Sequence, residues 1–81
     1  MKRTVETPIT NLEEGIEALI LRLAGGMTFQ RKLRTMGIRE GKTIKVLAKQ
    51  PFHGPLVVEV DRKKTTIGRG MAKRIIVGAK K

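Results

Sequence analysis

The sequence predicts a mainly β fold, a small barrel of about five short strands with one lid helix at about 27–36 and one short helical turn at about 69–73. Two observations lead there. Apolar residues alternate over the segments 17–23, 42–50 and 56–60, and glycines or prolines punctuate the intervals between them. Only the stretch from Gly25 to Gly41 carries a helical period, with Phe29, Leu33 and Met36 on one side and Arg31 and Arg34 on the other.

The elements follow in chain order. Thr7 to Gly15 is an irregular opening broken by Pro8, Asn11 and Gly15, with Ile9 and Leu12 as its buried residues. Glu17 to Leu23 is a strand apolar on both faces. Leu19 and Leu21 are expected to face inward, and the second face to lie under the helix or a partner. Gly37 sits where a left-handed residue ends the helix. Lys42 to Gln50 is a half-solvated strand carrying Ile44, Val46 and Ala48 inward. Pro51-Phe52-His53-Gly54-Pro55 is a rigid loop, and Leu56 to Val60 a third strand. Asp61 to Lys64 is a polar hairpin turn, Thr65 to Ile67 a short strand, and Arg74 to Val77 the closing one, with Lys80 and Lys81 as a frayed end. Strands this short leave exposed edges unless the sheet closes on itself, so the barrel is expected to be of the SH3 type. Leu19, Leu21, Ile44, Val46, Val58, Val60, Ile67 and Ile76 are the predicted filling.

At 81 residues the chain makes one domain, residues 1–81, with a small core. With no cysteine, it has neither a disulfide framework nor a thiolate metal site, which suits a reducing compartment. No apolar run near the start reaches the length of a membrane span, and Glu6, Pro8, Asn11, Glu13 and Glu14 fall where a signal peptide needs its apolar core. The expected location is the cytoplasm.

The net charge is +11, and its distribution is uneven. Residues 1–26 balance to −1, residues 27–50 to +6 and residues 61–81 to +7. Two basic blocks of this size attract anionic partners in a salt-sensitive way, or simply solvate a face.

Catalytic constellations are missing. The chain has no cysteine, no serine and one histidine, so nucleophile-and-base arrangements cannot be assembled, and Gly68-Arg69-Gly70 lacks the rest of a phosphate loop. No enzyme activity is expected. No firm cofactor is implied either. His53 is the weak candidate for ferrous or another transition metal, and it cannot make a site without further ligands, for instance across a dimer. Nucleic-acid binding competes as a reading because small basic barrels do it. Against it, the chain has only Phe29 and Phe52 to stack on bases.

The string Leu33-Arg34-Thr35-Met36-Gly37-Ile38 with Gly41, then the Gly54-Pro55 loop, then Ala72 and Ile75 to Val77, resembles the FeoA family of ferrous iron transport proteins. Leu12, Gly15, Gly25-Gly26 and Arg31 extend the likeness over nearly the whole chain. Met36 and Ile38 stand where leucines are commoner, and Asp61 where a turn glycine is frequent. The resemblance implies an SH3-like barrel acting as a small cytosolic accessory, peripheral to the membrane, of the FeoB iron transporter, whose cytosolic part binds GTP. The same fold occurs as the C-terminal domain of metal-dependent repressors, so a stand-alone relative of that domain is a further alternative. As a docking protein, monomer or homodimer, the chain offers Phe52, His53 and Pro55 on the rigid loop and Arg31, Arg34 and Arg39 at the helix as contacts.

Overall fold

The computed structural model describes residues 4–80. Six strands, β1 (Thr4–Pro8), β2 (Glu17–Leu23), β3 (Thr43–Lys49), β4 (Leu56–Val60), β5 (Lys63–Ile67) and β6 (Ile75–Lys80), form one antiparallel sheet in the order β1-β6-β2-β3-β4-β5. Two helices, α1 (Met27–Thr35) and α2 (Arg69–Ala72), and a 3₁₀ turn at Ile9–Asn11 complete the chain. This is the expected small SH3-like barrel with one strand more. β1 pairs along its whole length with β6, from Thr4 opposite Lys80 to Pro8 opposite Ile76. Its residues are exposed or half-buried, so no apolar alternation announces it, and as an edge strand it tolerates Pro8, whose missing N–H breaks no ladder. Lys80 belongs to β6, while Lys81 lies outside the described residues.

The core runs through every element but β1. Ile9 and Leu12 from the opening turn, Leu33 and Ile38 at the helix, Ile44 and Val46 of β3, Leu56 and Val58 of β4, Ile67, Ala72, Ile75 and Val77 are all buried. The described residues bury no polar or charged side chain, so cohesion rests on apolar packing. α1 contributes through Leu33, which is fully buried, with Phe29 and Met36 packed beside it.

β2 corrects the sequence reading. Ala18 and Ile20 face inward, and Leu19 and Leu21 face out, with Leu19 45% exposed. With apolar residues at Ala18, Leu19, Ile20 and Leu21 in a row, alternation alone cannot choose a face. Pairing chooses it: Ile20 stands opposite Val77, and both are buried. A register shift between Ile20 and Arg22 then turns Leu23 into the core. Nor does α1 cover the outer face of β2, where Leu19 stays exposed. A second shift between Val46 and Ala48 in β3 leaves Ala48 half-buried where it was expected inside. The polar turn after β4 is tighter than expected: Asp61 and Arg62, both at positive φ, form it alone, and Lys63 and Lys64 already lie in β5.

Candidate docking surface

The hairpin between β3 and β4 projects an aromatic tip. Lys49 pairs with Leu56, Gln50 N–H donates to the Pro55 carbonyl at 3.0 Å, and Gly54 N–H donates to the Pro51 carbonyl at 3.1 Å. The two central residues of that turn are Phe52 and His53, at φ 58° and 59°. Such a turn matches the right-handed twist of the strands, and it ordinarily takes Asn and Gly, which tolerate positive φ. Here an aromatic and a histidine occupy both strained positions, and Phe52 is 96% exposed. It does not fold back over the barrel. Below the tip, half-buried Arg69 of α2 donates from Nε to the Gly54 carbonyl at 3.2 Å, a tie that a reading of the loop by itself had no means of finding.

The arginines divide into free and engaged. Arg31 and Arg39 are exposed. Arg34 is held: one guanidinium nitrogen donates to Glu40 Oε2 at 2.8 Å and to Gln30 Oε1 at 3.2 Å. A hydrogen bond from the backbone at Glu40 and, after it, the Arg34 guanidinium hold the Glu40 carboxyl below its ordinary value. The barrel does not gather the candidates into one cluster. Arg39 precedes the start of β3 and Phe52 follows its end, and a seven-residue strand separates its ends by about 20 Å. The tip and the basic patch are two surfaces.

Two further features were not legible in the residues alone. The Arg74 guanidinium lies 5.0 Å from the centre of the Phe29 ring, closing the junction of α1 and α2. On the outer face of β2, Leu12, Ile16, Leu19 and Leu21 line an open groove of about 710 Å³. His53 sits on the exposed tip, and among the described residues no group of three His, Asp or Glu side chains converges on a common point.

The model of the FeoA domain family matches residues 7–79, nearly the whole chain. The chain belongs to the FeoA family. That family comprises ferrous iron transport accessory proteins. A protein of Methanocaldococcus jannaschii with the provisional name Fe(2+) transport protein A is 31% identical over 70 residues, which cover 86% of this chain and 83% of that protein. A crystal structure described as iron uptake regulatory protein (FeoA) superposes with a TM-score of 0.82 at 30% identity, covering 95% of this chain and 99% of the other. The FeoA protein of Chlorobium tepidum gives 0.79 at 27% identity over 88% of this chain and 68% of that one. A manganese-dependent transcriptional repressor shares the fold, with a TM-score of 0.83 at 21% identity, but this chain corresponds to 42% of its length. No helix among the described residues is long and apolar enough to cross a membrane.

Proposed function

We propose that this chain works in the cytoplasm by docking, through one FeoA-like domain over residues 1–81, onto the cytosolic GTP-binding part of an FeoB-type iron transporter, and that it catalyses nothing itself. The observation that carries the reading is the tip: a phenylalanine 96% exposed on a turn whose positive φ values ordinarily call for Asn and Gly. Bracketed by Pro51 and Pro55, the tip with His53 is already fixed, so seating it costs little ordering entropy. Arg31 and Arg39 add attraction to acidic groups, and Arg34 shapes the same helix end through Glu40.

The test is calorimetric titration of the full chain into the isolated cytosolic domain of the transporter, since neither Trp nor Tyr is available as a fluorescent reporter. Phe52→Ala and the pair Arg31→Glu with Arg39→Glu should each weaken binding at least tenfold. Unchanged affinity in both variants removes this surface. Tight binding of generic DNA at physiological salt, with none to the transporter domain, would install the nucleic-acid reading instead.

A further inference from the structure

Two stretches of the chain are free of acid. Residues 18–39 carry five lysines and arginines and residues 62–81 carry eight, with no aspartate or glutamate in either. The fold sets these stretches side by side: α1 comes from the first and α2 from the second, and just before α1 the Ala24 N–H donates to the Arg74 carbonyl at 2.7 Å. One side of the barrel is therefore built from segments that hold no carboxylate.

On α1 the core side fixes the solvent side. Leu33 is fully buried, and at about 100° per residue Met27, Thr28, Arg31, Lys32 and Thr35 occupy an arc of about 140° on the opposite side of the helix. All five are exposed, Met27 by 71%. Lys32 lies one turn beyond Phe29, whose ring carries the Arg74 guanidinium at 5.0 Å, and Lys73 beside Arg74 is exposed as well. Between the helices, Phe29 and Met71 line an open hollow of about 470 Å³, and a Cβ at Gly26 or Gly70 on its margin would meet nothing within 4 Å.

The charges on this side are available. Among the described residues the ion pairs are Arg22 with Glu6, Arg34 with Glu40 and Lys42 with Asp61, so Arg31, Lys32, Lys73 and Arg74 belong to none of them. The carboxylates that border the two stretches each face a base of their own. Glu17 stands opposite Lys45 in register, Glu40 holds Arg34 at 2.8 Å, and Asp61 holds Lys42 at 2.8 Å.

Unpaired cations around an exposed thioether and an open apolar hollow fit an anionic partner that also has an apolar layer. An acidic lipid bilayer has both, its phosphates lying over the start of the hydrocarbon. Nucleic acid supplies phosphates without that layer, and this side offers no free ring for a base to stack on, because Arg74 covers Phe29. We propose that the side formed by α1 and α2 rests on an anionic lipid surface, with Arg31, Lys32, Lys73 and Arg74 on the headgroup phosphates and Met27 in the interfacial layer. Each base near such a surface is worth about fivefold in partitioning, so four of them hold the chain reversibly and in proportion to the anionic lipid present. Only Arg31 is shared with the transporter docking proposed above.

Vesicles contain no transporter, so the two readings fail separately. The full chain is sedimented at about 0.1 M salt with vesicles of phosphatidylcholine alone and with vesicles in which about one lipid in three is phosphatidylglycerol. The expected result is cosedimentation with the anionic vesicles only, weakened at least tenfold at about 0.5 M salt. Lys32→Glu together with Lys73→Glu, both exposed and outside the core, should lower partitioning at least tenfold while the melting temperature stays that of the parent chain. Met27→Trp gives the chain its only tryptophan, whose emission should shift to the blue on anionic vesicles. Failure to partition onto anionic vesicles overturns the proposal, as does partitioning that the double reversal leaves intact. Emission that stays unshifted in the bound state overturns it too, because another side is then in contact. Tighter binding to generic duplex DNA than to the vesicles at the same salt would give this side to nucleic acid instead.

Discussion

The Ile38 amide donates to the Leu33 carbonyl at 3.0 Å, and both side chains are buried in the core. Between them Gly37 turns through φ +86° and its own amide donates to Arg34 O at 3.0 Å. Two carbonyls left over by α1 are thereby satisfied, and the apolar pair fastens the helix end to the barrel. A Cβ at Gly37 would meet no atom within 4 Å, so only backbone strain opposes a side chain there. Gly37→Ala should cost about 1–2 kcal/mol, and Gly37→Asn less, read from the midpoints of chemical denaturation.

Gly25 is constrained in a second way. It has φ +103°, and a Cβ there would come within 2.9 Å of Phe29 Cδ2 and 3.2 Å of Arg74 Cδ. Gly25→Ala should therefore destabilise by more than Gly37→Ala, since it adds the displacement of Phe29 and Arg74 to the strain. Arg74→Ala alone should cost about 0.5–1 kcal/mol, the range for a cation over an aromatic face at an exposed site. Thermal unfolding of the three variants orders them.

The face of β2 can be checked by two alanines. Ile20 is 1% exposed and Leu19 is 45% exposed. Ile20→Ala should cost about 2–4 kcal/mol and Leu19→Ala less than about 1 kcal/mol. The reverse order in denaturation would mean that the strand presents the other face.

At the tip, stability and docking should move in opposite directions. Replacing Phe52 and His53 together by Asn and Gly gives the turn the residues that its positive φ values favour, and should stabilise the barrel by about 1–2 kcal/mol. The same change removes the aromatic knob, so affinity for the transporter domain should fall as the melting temperature rises.

Glu40 gives a pH signature. Its folded pKa is lowered from 4.5, first by the backbone hydrogen bond and then by Arg34. A carboxylate depressed in the folded state stabilises above its unfolded pKa, and that contribution fades as pH falls through 4.5 and past the lower folded value. The pair is solvent-exposed, so the effect on unfolding is small and screened by salt. An NMR titration should place Glu40 below the ordinary carboxylate range, and Arg34→Ala should raise it only in part because the backbone bond remains.

The sequence by itself determined the punctuation and most of the core. Gly37 ends α1, the proline-bracketed loop is a rigid projection, and Ile44, Val46, Val58, Val60 and Ile67 point inward. Each of these is a local matter of backbone freedom or period-two alternation against polar neighbours. Tertiary structure alone decided the rest. β1 carries no apolar period and exists because β6 offers it a partner. Ala18 to Leu21 is apolar on both faces, so only the pairing of Ile20 with Val77 settles which leucines meet water. The groove is a product of that choice. Where every residue of a strand can be buried, the free energy that selects a face lies in the neighbours it packs against rather than in the strand, and no reading of the strand alone contains it.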